Sequence, residues 1–160
     1  MADKTTASDA VWADYRDHAG VDGDYAVCSF GDNAADANEL AALVLAGTKR
    51  ATASLVRDYS PDTLPREGDH VVVVDGEGRP CCIWRTTQIE TKPMIQVDDA
   101  FAWAEGEGDR SRADWLRIHR DYFGAQARSE GFAIDDGIEV VFERFRIVWP
   151  QQFADAPERD

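Results

Sequence analysis

The chain has 160 residues and a mass of 17.8 kDa, which is the size of one domain and excludes two independent catalytic domains. With 44% hydrophobic and 30% charged residues, its composition is that of a folded globular protein and not of a disordered chain. The formal net charge is -14, from 31 acidic and 17 basic residues, and it disfavours nonspecific binding to long DNA or RNA, which depends on cationic contacts with phosphates.

Cysteine usage and the absence of long apolar runs bear on the compartment. Cys28, Cys81 and Cys82 show no zinc-binding spacing, and the adjacent pair is poorly placed for a disulfide. No apolar run approaches the roughly 20 residues of a membrane span, and the first ten residues lack a signal-peptide core. We therefore expect a cytoplasmic protein with no membrane partner.

The start of the chain predicts a helix and a short strand. Apolar residues at helical spacing predict a helix over residues 8–19, capped by Ser8 or Asp9. The apolar stretch 25–30 then predicts the strand that leads into the main domain.

The next segment carries the best-marked helix. Residues 34–46 place five apolar side chains on one stripe, with Asp32 or Asn33 as the cap and Gly47 just beyond the end. The Thr-, Ala- and Val-rich segment 48–56 predicts a strand.

A loop and a hairpin follow. Residues 59–65 contain two prolines and cannot continue a regular element. The apolar runs 70–74 and 80–87 flank a glycine-containing turn, which predicts a β-hairpin.

The last third predicts two helices and a strand. A short helix is expected over residues 98–104, and Ser111 is expected to cap a second helix that continues to Phe123. Its apolar stripe is predicted to consist of Trp115, Ile118, Tyr122 and Phe123. Residues 138–149 alternate as one long strand.

This element order favours an α+β fold with a small, mostly antiparallel β-barrel and surrounding helices. The two Gly-x-Gly sequences do not open a helix after a buried strand, so a dinucleotide-binding fold is excluded. We assign residues 1–29 to an N-terminal helix and lead-in strand, residues 30–149 to the main domain and residues 150–160 to a tail.

The first candidate for chemistry is Lys49, where the second helix gives way to a strand. A lysine that is partly buried there can have a lowered pKa and act as a base, with the Thr52 hydroxyl as the nucleophile. Odd spacing places two side chains on opposite faces of a flat strand, so Lys49 must lie in the turn before it. The alternative is that Lys49 and Arg50 only complement the helix dipole, although 14 of the 17 basic residues are arginines, which serve that purpose equally.

The second candidate is the loop from Glu105 to Asp109, which holds three carboxylates between glycines. It can supply a general acid or base, orient the lysine or bind a divalent cation, and the alternative is a solvated loop. His119 is interpreted as a core or groove residue, and mid-strand Arg85 either faces solvent or meets a carboxylate such as Glu143.

Taken together, several motifs in one order resemble the ASCH domain family in its longer bacterial form. The resemblance runs from about Phe30 to Val148. The motifs are Phe30-Gly-Asp, the segment 39–54 that ends Gly-Thr-Lys-Arg-Ala-Thr-Ala-Ser, Leu64-Pro-x-x-Gly-Asp, Ala102-x-x-Glu-Gly-Glu-Gly-Asp-x-Ser, Trp115-x-x-x-His and Phe142-Glu-Arg-Phe.

The resemblance implies a barrel related to the PUA fold and a role in handling RNA or modified nucleosides. A shorter group of the family removes the acetyl group from N(4)-acetylcytidine with a Lys, a Thr three residues later and a distant Glu. Lys49 and Thr52 match the first two residues, and Glu105 matches the third, with Glu107 as its rival. No metal and no cofactor are required.

We therefore expect a small-molecule amidohydrolase for an acylated nucleoside. Lys49 acts as the base, Thr52 as the nucleophile and Glu105 as the group that orients or recharges the lysine. The residues expected to contact the substrate are Arg50, Ser54, Glu107, Arg85, Trp115 and His119. The alternatives are an RNA-binding protein and a metal-assisted ribonuclease that cleaves short single-stranded RNA in the same cleft.

Overall fold

A computed structural model of the chain describes residues 2–157. Within them, the chain forms four α-helices and five β-strands. The helices are α1 Thr6–Ala19, α2 Ala34–Leu45, α3 Asp99–Glu105 and α4 Arg112–Glu130. The strands are β1 Ala26–Ser29, β2 Ala51–Leu55, β3 His70–Val74, β4 Pro80–Pro93 and β5 Glu139–Trp149.

The strands form one five-stranded sheet in the order β1-β3-β4-β5-β2. Strand β3 pairs antiparallel with β4, and β2 pairs antiparallel with β5. The pairing of β1 with β3 is parallel. The fold class is therefore mixed α+β, as predicted, and the helices occupy the gaps between strands without a regular βαβ rhythm.

Each helix begins at a side chain that accepts a hydrogen bond from the backbone of its first turn. Asn33, Asp98 and Ser111 cap α2, α3 and α4. The prediction for α1 is wrong: its cap is Thr5, and Ser8 completes a capping box from inside the helix. Ser and Thr separated by three residues serve either role, so the sequence alone does not decide between them.

Contacts divide the chain into two compact units. The first unit consists of Met1–Gly47, Glu67–Thr87 and Phe145–Asp160. One of its two apolar clusters contains α2 residues and a Trp84–Phe145 ring stack with centroids 4.3 Å apart. The other packs Trp12 and Tyr15 of α1 against Val72 and neighbouring side chains of the sheet.

The second unit consists of Thr48–Arg66 and Gln88–Arg144. Its core contains Ala51 and Leu55 of β2, Phe142 of β5 and the buried face of α4. That face differs from the predicted stripe, because α4 continues to Glu130 and turns Trp115, Leu116, His119, Phe123 and Ala127 inward, whereas Tyr122 is exposed. Trp115 and Phe123 were predicted correctly, and buried His119 agrees with its interpretation as a core or groove residue.

Gly106 allows two segments of the second unit to pack closely against each other. Gly106 ends α3 with φ +73°, and a Cβ built on it would lie 2.5 Å from the Thr48 carbonyl oxygen. Only glycine permits both this backbone conformation and this approach. The end of α3 is therefore held against the segment that precedes β2.

Three further observations concern whole-chain expectations. Cys28, Cys81 and Cys82 are free thiols. None of the helices in residues 2–157 has the length and apolar character needed to cross a membrane. Residues 158–160 of the predicted tail lie outside the described part of the chain.

Replacing Gly106 by alanine tests the close approach. We expect Gly106→Ala to lower the free energy of unfolding by about 2–4 kcal/mol, because it adds a steric clash to the left-handed backbone penalty. Gly131→Ala is the matched control, since φ is +76° there but nothing lies within 4 Å, and it should cost only about 1 kcal/mol. Urea unfolding measures both, and equal losses would contradict the role given to Gly106.

Candidate active site

Lys49 lies in the short segment between Gly47 and β2, which is where its predicted role required it to be. The backbone on either side is anchored. The Arg50 N–H donates to the Ala104 carbonyl at 2.7 Å, and the Arg110 guanidinium donates to the Thr48 carbonyl at 3.2 Å. These bonds fix the direction of the Lys49 side chain relative to the end of α3.

The Lys49 ammonium is buried against two carboxylates. Its Nζ donates to Glu105 Oε1 at 2.9 Å and lies 3.5 Å from Glu107 Oε2. The side chains of Lys49 and Glu105 are only 1% and 2% exposed, whereas Glu107 is 18% exposed. The solvated-loop alternative is therefore wrong for Glu105, and Glu107 is the carboxylate of the pair that reaches solvent.

The second oxygen of Glu105 is bound by α4. The Trp115 indole N–H donates to Glu105 Oε2, and His119 Nε2 lies 3.1 Å from the same oxygen. One turn apart on the helix, the two rings stack with centroids 3.9 Å apart and planes 14° from parallel. The Glu105 carboxylate thus has hydrogen-bond donors on both of its oxygens, as a buried charge requires.

The partners of His119 determine its protonation state. Its Nδ1 lies 2.9 Å from the Trp115 carbonyl oxygen, which can only accept, and its Nε2 faces a carboxylate oxygen, which accepts as well. Both ring nitrogens must carry a proton to make both bonds. Burial opposes the charged ring, but Glu105 and Glu107 outweigh it and raise the pKa of His119. The ring is therefore an imidazolium in this arrangement.

The carboxylates also set the charge of Lys49. Burial alone lowers the pKa of Lys49, but the attraction of Glu105 and Glu107 outweighs burial and raises it. The expectation of a lowered lysine pKa is therefore wrong in direction, because it considered desolvation without the paired acids. Burial likewise opposes ionisation of Glu105, yet Lys49 and His119 hold its pKa far below the ordinary value.

Glu107 behaves differently from Glu105. Burial raises its pKa, and the attraction of Lys49 only partly offsets this, while the negative charge of Glu105 adds to the rise. Two neighbouring carboxylates with pKa values moved in opposite directions are the pattern expected of an acid and its ionised partner. Of the two carboxyl groups, Glu107 is therefore the one that takes up a proton more readily.

Glu105, Glu107 and His119 also offer a set of metal-ligating atoms, all within 4.8 Å of one another. In this arrangement the Lys49 ammonium already takes up the carboxylate charge. His119 would have to lose its Nε2 proton before it could bind a metal ion. These three side chains can therefore bind a divalent cation only after the Lys49 ammonium has moved away from the carboxylates and His119 has lost its Nε2 proton.

Thr52 and Ser54 are not in this cluster. They alternate with the core residues Ala51 and Leu55 along β2, so they face the other side of the strand. The Ser54 hydroxyl lies 2.8 Å from the Tyr59 hydroxyl. Within residues 2–157, no hydrogen bond joins Lys49 Nζ to the Thr52 hydroxyl.

Three other residues have distinct positions. The half-buried Arg50 side chain donates to the Lys49 carbonyl at 2.8 Å. Arg85 belongs to the first unit and is exposed, the first of the two alternatives considered for it.

Glu143 of β5 was named only as a possible partner of Arg85, but it is buried and pairs in register with Thr52. Of the two acids in strand 138–149, Glu143 lies between Phe142 and Phe145, and this apolar setting is the signal that could have identified it.

The second unit also contains an open pocket of about 300 Å³. Polar side chains of β4 and β5 line it together with Phe101 and Phe142. None of the predicted site residues is among its lining residues.

Replacing Glu105 by glutamine should destabilise the protein by about 3–5 kcal/mol, because it leaves a buried ammonium and a buried imidazolium without their anion. Glu107→Gln is the control and should cost less than about 1 kcal/mol, since Glu107 is partly exposed and burial already opposes its charged form. Chemical denaturation at neutral pH measures both variants. Similar losses would show that Glu105 is not the central anion.

The two perturbed histidines should titrate on opposite sides of pH 6.5. The pKa of His119 is raised, whereas burial and the nearby Arg85 lower the pKa of His70. Because the folded-state pKa of His119 lies above its unfolded value, its contribution to stability is complete below about pH 6.5 and is lost as pH rises through the folded-state pKa. Two-dimensional NMR of the ring protons separates the two titrations, and a His119 midpoint below that of His70 would contradict the cluster.

Comparison with known proteins identifies the family of this chain. The family model described as ASCH domain matches residues 26–149. No match was found among curated proteins.

Two solved structures are similar over nearly the whole chain. An ASCH domain from Lactobacillus crispatus JV V101 is 30% identical, with a TM-score of 0.81 over 89% of this chain and 94% of that one. A protein from Enterococcus faecalis V583 is 29% identical, with a TM-score of 0.80 over 88% of this chain and 86% of that one. The predicted PUA-like α+β fold is confirmed by this likeness, and the chain belongs to the ASCH domain family.

Proposed function

We propose that this ASCH domain protein is a small-molecule amidohydrolase that acts on an acylated nucleoside such as N(4)-acetylcytidine. The observation that carries the proposal is the buried cluster of Lys49, Glu105 and Glu107 directly before the strand that holds Thr52. Lysine, threonine and a distant glutamate are the set that the resemblance to the shorter amidohydrolases predicts.

The net charge of -14 supports a small neutral substrate. Polyanion binding depends on a cationic surface that releases counterions, and a nucleoside without phosphates needs none. An acylated nucleoside is therefore a better match for the charge of this chain than a long RNA.

In the proposed reaction, the Thr52 hydroxyl attacks the acyl carbon of the amide. Its proton passes to a base, the tetrahedral intermediate collapses, and the nucleoside amine leaves after accepting a proton. Water then hydrolyses the acyl-threonine ester and releases the carboxylic acid. Each step uses protons already held by the site, so no oxidant or co-reactant is needed.

Lys49 can serve as the base only after it has given up a proton. Glu107 is the suitable acceptor, since its Oε2 is 3.5 Å from Nζ and its pKa is raised. Glu105 stays ionised and holds the lysine in place. The amine must then swing from Glu105 towards Thr52, a motion that the four-carbon lysine chain permits. Activity should consequently rise with pH above neutrality.

Glu143 is the rival for the role of base. It pairs in register with Thr52 in the β2–β5 ladder, so both side chains stand on the same face of the sheet, where directly opposed Cβ atoms are about 5 Å apart. Lys49→Arg keeps the charge and removes the base, whereas Glu143→Gln keeps the shape and removes the carboxylate. The variant that loses turnover without losing substrate affinity identifies the base.

The direct test is hydrolysis of N(4)-acetylcytidine by the purified full chain, followed by chromatography of released cytidine. We expect Thr52→Ala to lower kcat by about 100-fold or more and Thr52→Ser to retain much of it, because serine keeps the hydroxyl. Thr91→Ala, at an exposed position of β4, is the control and should leave the rate unchanged.

Mass spectrometry of a quenched reaction should reveal one acyl group on the peptide that contains Thr52. No cytidine release at any pH, or full activity of Thr52→Ala, would refute the proposal.

A metal-assisted ribonuclease is the second candidate, favoured by the ligand set of Glu105, Glu107 and His119. The same preparation is therefore assayed with short single-stranded RNA and with EDTA. RNA cleavage that EDTA abolishes, without amide hydrolysis, would select this alternative.

A further inference from the structure

A second group of functional side chains lies in the first unit, on the face of the sheet that α1 covers. Trp12 and Tyr15 pack there against Val72 of β3, Ile83 of β4 and Val148 of β5. Because side chains alternate along strands, His70, Arg85 and Arg146 stand on this same face, two residues from Val72, Ile83 and Val148 respectively.

The register brings these basic residues together. His70 and Arg85 are paired directly opposite each other in the β3–β4 ladder, and β5, which carries Arg146, is the next strand of the sheet. The Tyr15 hydroxyl lies 3.4 Å from His70 Nε2, and the Trp12 and His70 rings have centroids 5.2 Å apart. We call Tyr15, His70, Arg85 and Arg146 the basic face.

The two arginines lack the carboxylate partners that several other arginines have. Arg79, Arg117 and Arg120 each pair with a carboxylate. Among residues 2–157, by contrast, no carboxylate lies within 4.0 Å of Arg85 or Arg146. The Nε atom of Arg146 is buried and has no hydrogen-bond partner in that part of the chain. A buried donor without an acceptor is costly, particularly in a chain with 31 acidic residues available to pair with it.

The electrostatic effects agree with a positive potential at this face. Burial lowers the pKa of His70, and the Arg85 charge lowers it further, while Asp69 acts in the opposite direction. Burial raises the pKa of the Tyr15 hydroxyl, against the effect of both Arg85 and Arg146. At neutral pH the face therefore presents two guanidinium groups, a neutral imidazole and a phenol that remains a hydrogen-bond donor.

We propose that the basic face, formed by Arg85, Arg146, His70 and the Tyr15 hydroxyl, is a binding site for a phosphate group. Guanidinium groups bind phosphate oxygens through paired, charge-assisted hydrogen bonds, and the phenol adds a neutral donor. The site stands on residues of the first unit alone and does not depend on the amidohydrolase proposal. The phosphate can come from a nucleoside monophosphate or from the backbone of a short RNA.

The test is an NMR titration of the full chain with inorganic phosphate at constant ionic strength, with the ring signals of Tyr15 and His70 as reporters. We expect saturable shifts of both rings, and about tenfold or greater weakening in Arg85→Met and in Arg146→Met. Arg128→Met is the matched control, because it removes an exposed arginine of the second unit and should leave the affinity unchanged.

Two results would overturn the proposal. One is the absence of saturable shifts at about 50 mM phosphate, well beyond the range in which a built phosphate site is expected to fill. The other is a set of shifts that persists in Arg85→Met, whose exposed side chain can be changed without disturbing the core.

Cytidine 5′-monophosphate, cytidine and a short single-stranded RNA distinguish the sources of phosphate. Tighter binding of the monophosphate than of inorganic phosphate, with no displacement by cytidine, supports a small-molecule ligand. Tighter binding of the RNA with the same dependence on Arg85 supports a backbone phosphate.

Discussion

The contact between the Lys49 ammonium and the Glu105 carboxylate determines how the second unit is built. Both groups are removed from water, so each needs the other and every remaining donor or acceptor must be satisfied. Trp115 and His119 supply the donors from α4, and the backbone bonds of Arg50 and Arg110 hold the lysine segment in place. The ends of α3 and α4 are thus tied to the segment before β2 through one ion pair.

That ion pair is weak evidence for high stability, since two apolar residues of similar volume would avoid the cost of desolvation. Its position within a well-packed aromatic core suits the acid–base role that we propose for the site. The cluster holds two cations and one firmly ionised acid, together with a second acid that is partly exposed and has a raised pKa. Such a set can accept and return a proton without changing its packing, which is what an acid–base site needs.

Much of the fold follows from sequence, because amphipathic spacing and cap residues marked α2, α3 and the start of α4, and alternation marked β5. Lys49 and Glu105 were also predicted, on spacing and family motifs. The sequence could not give the protonation of Lys49, since that depends on two acids more than 50 residues away. Nor could it give the role of His119, whose charge follows from contacts with Trp115 and Glu105. The register that sets Thr52 opposite Glu143 is likewise a long-range pairing.

The most direct measurement of the central claim is nitrogen-15 NMR of the Lys49 side chain in protein labelled at lysine, with assignment by comparison to Lys4→Arg and Lys92→Arg variants. A paired, buried ammonium should give a resonance that exchanges slowly with water and keeps its charged-state shift beyond pH 10.5, the ordinary lysine value. A neutral amine at pH 8, or an ammonium that exchanges as fast as an exposed lysine, would contradict the account of the site.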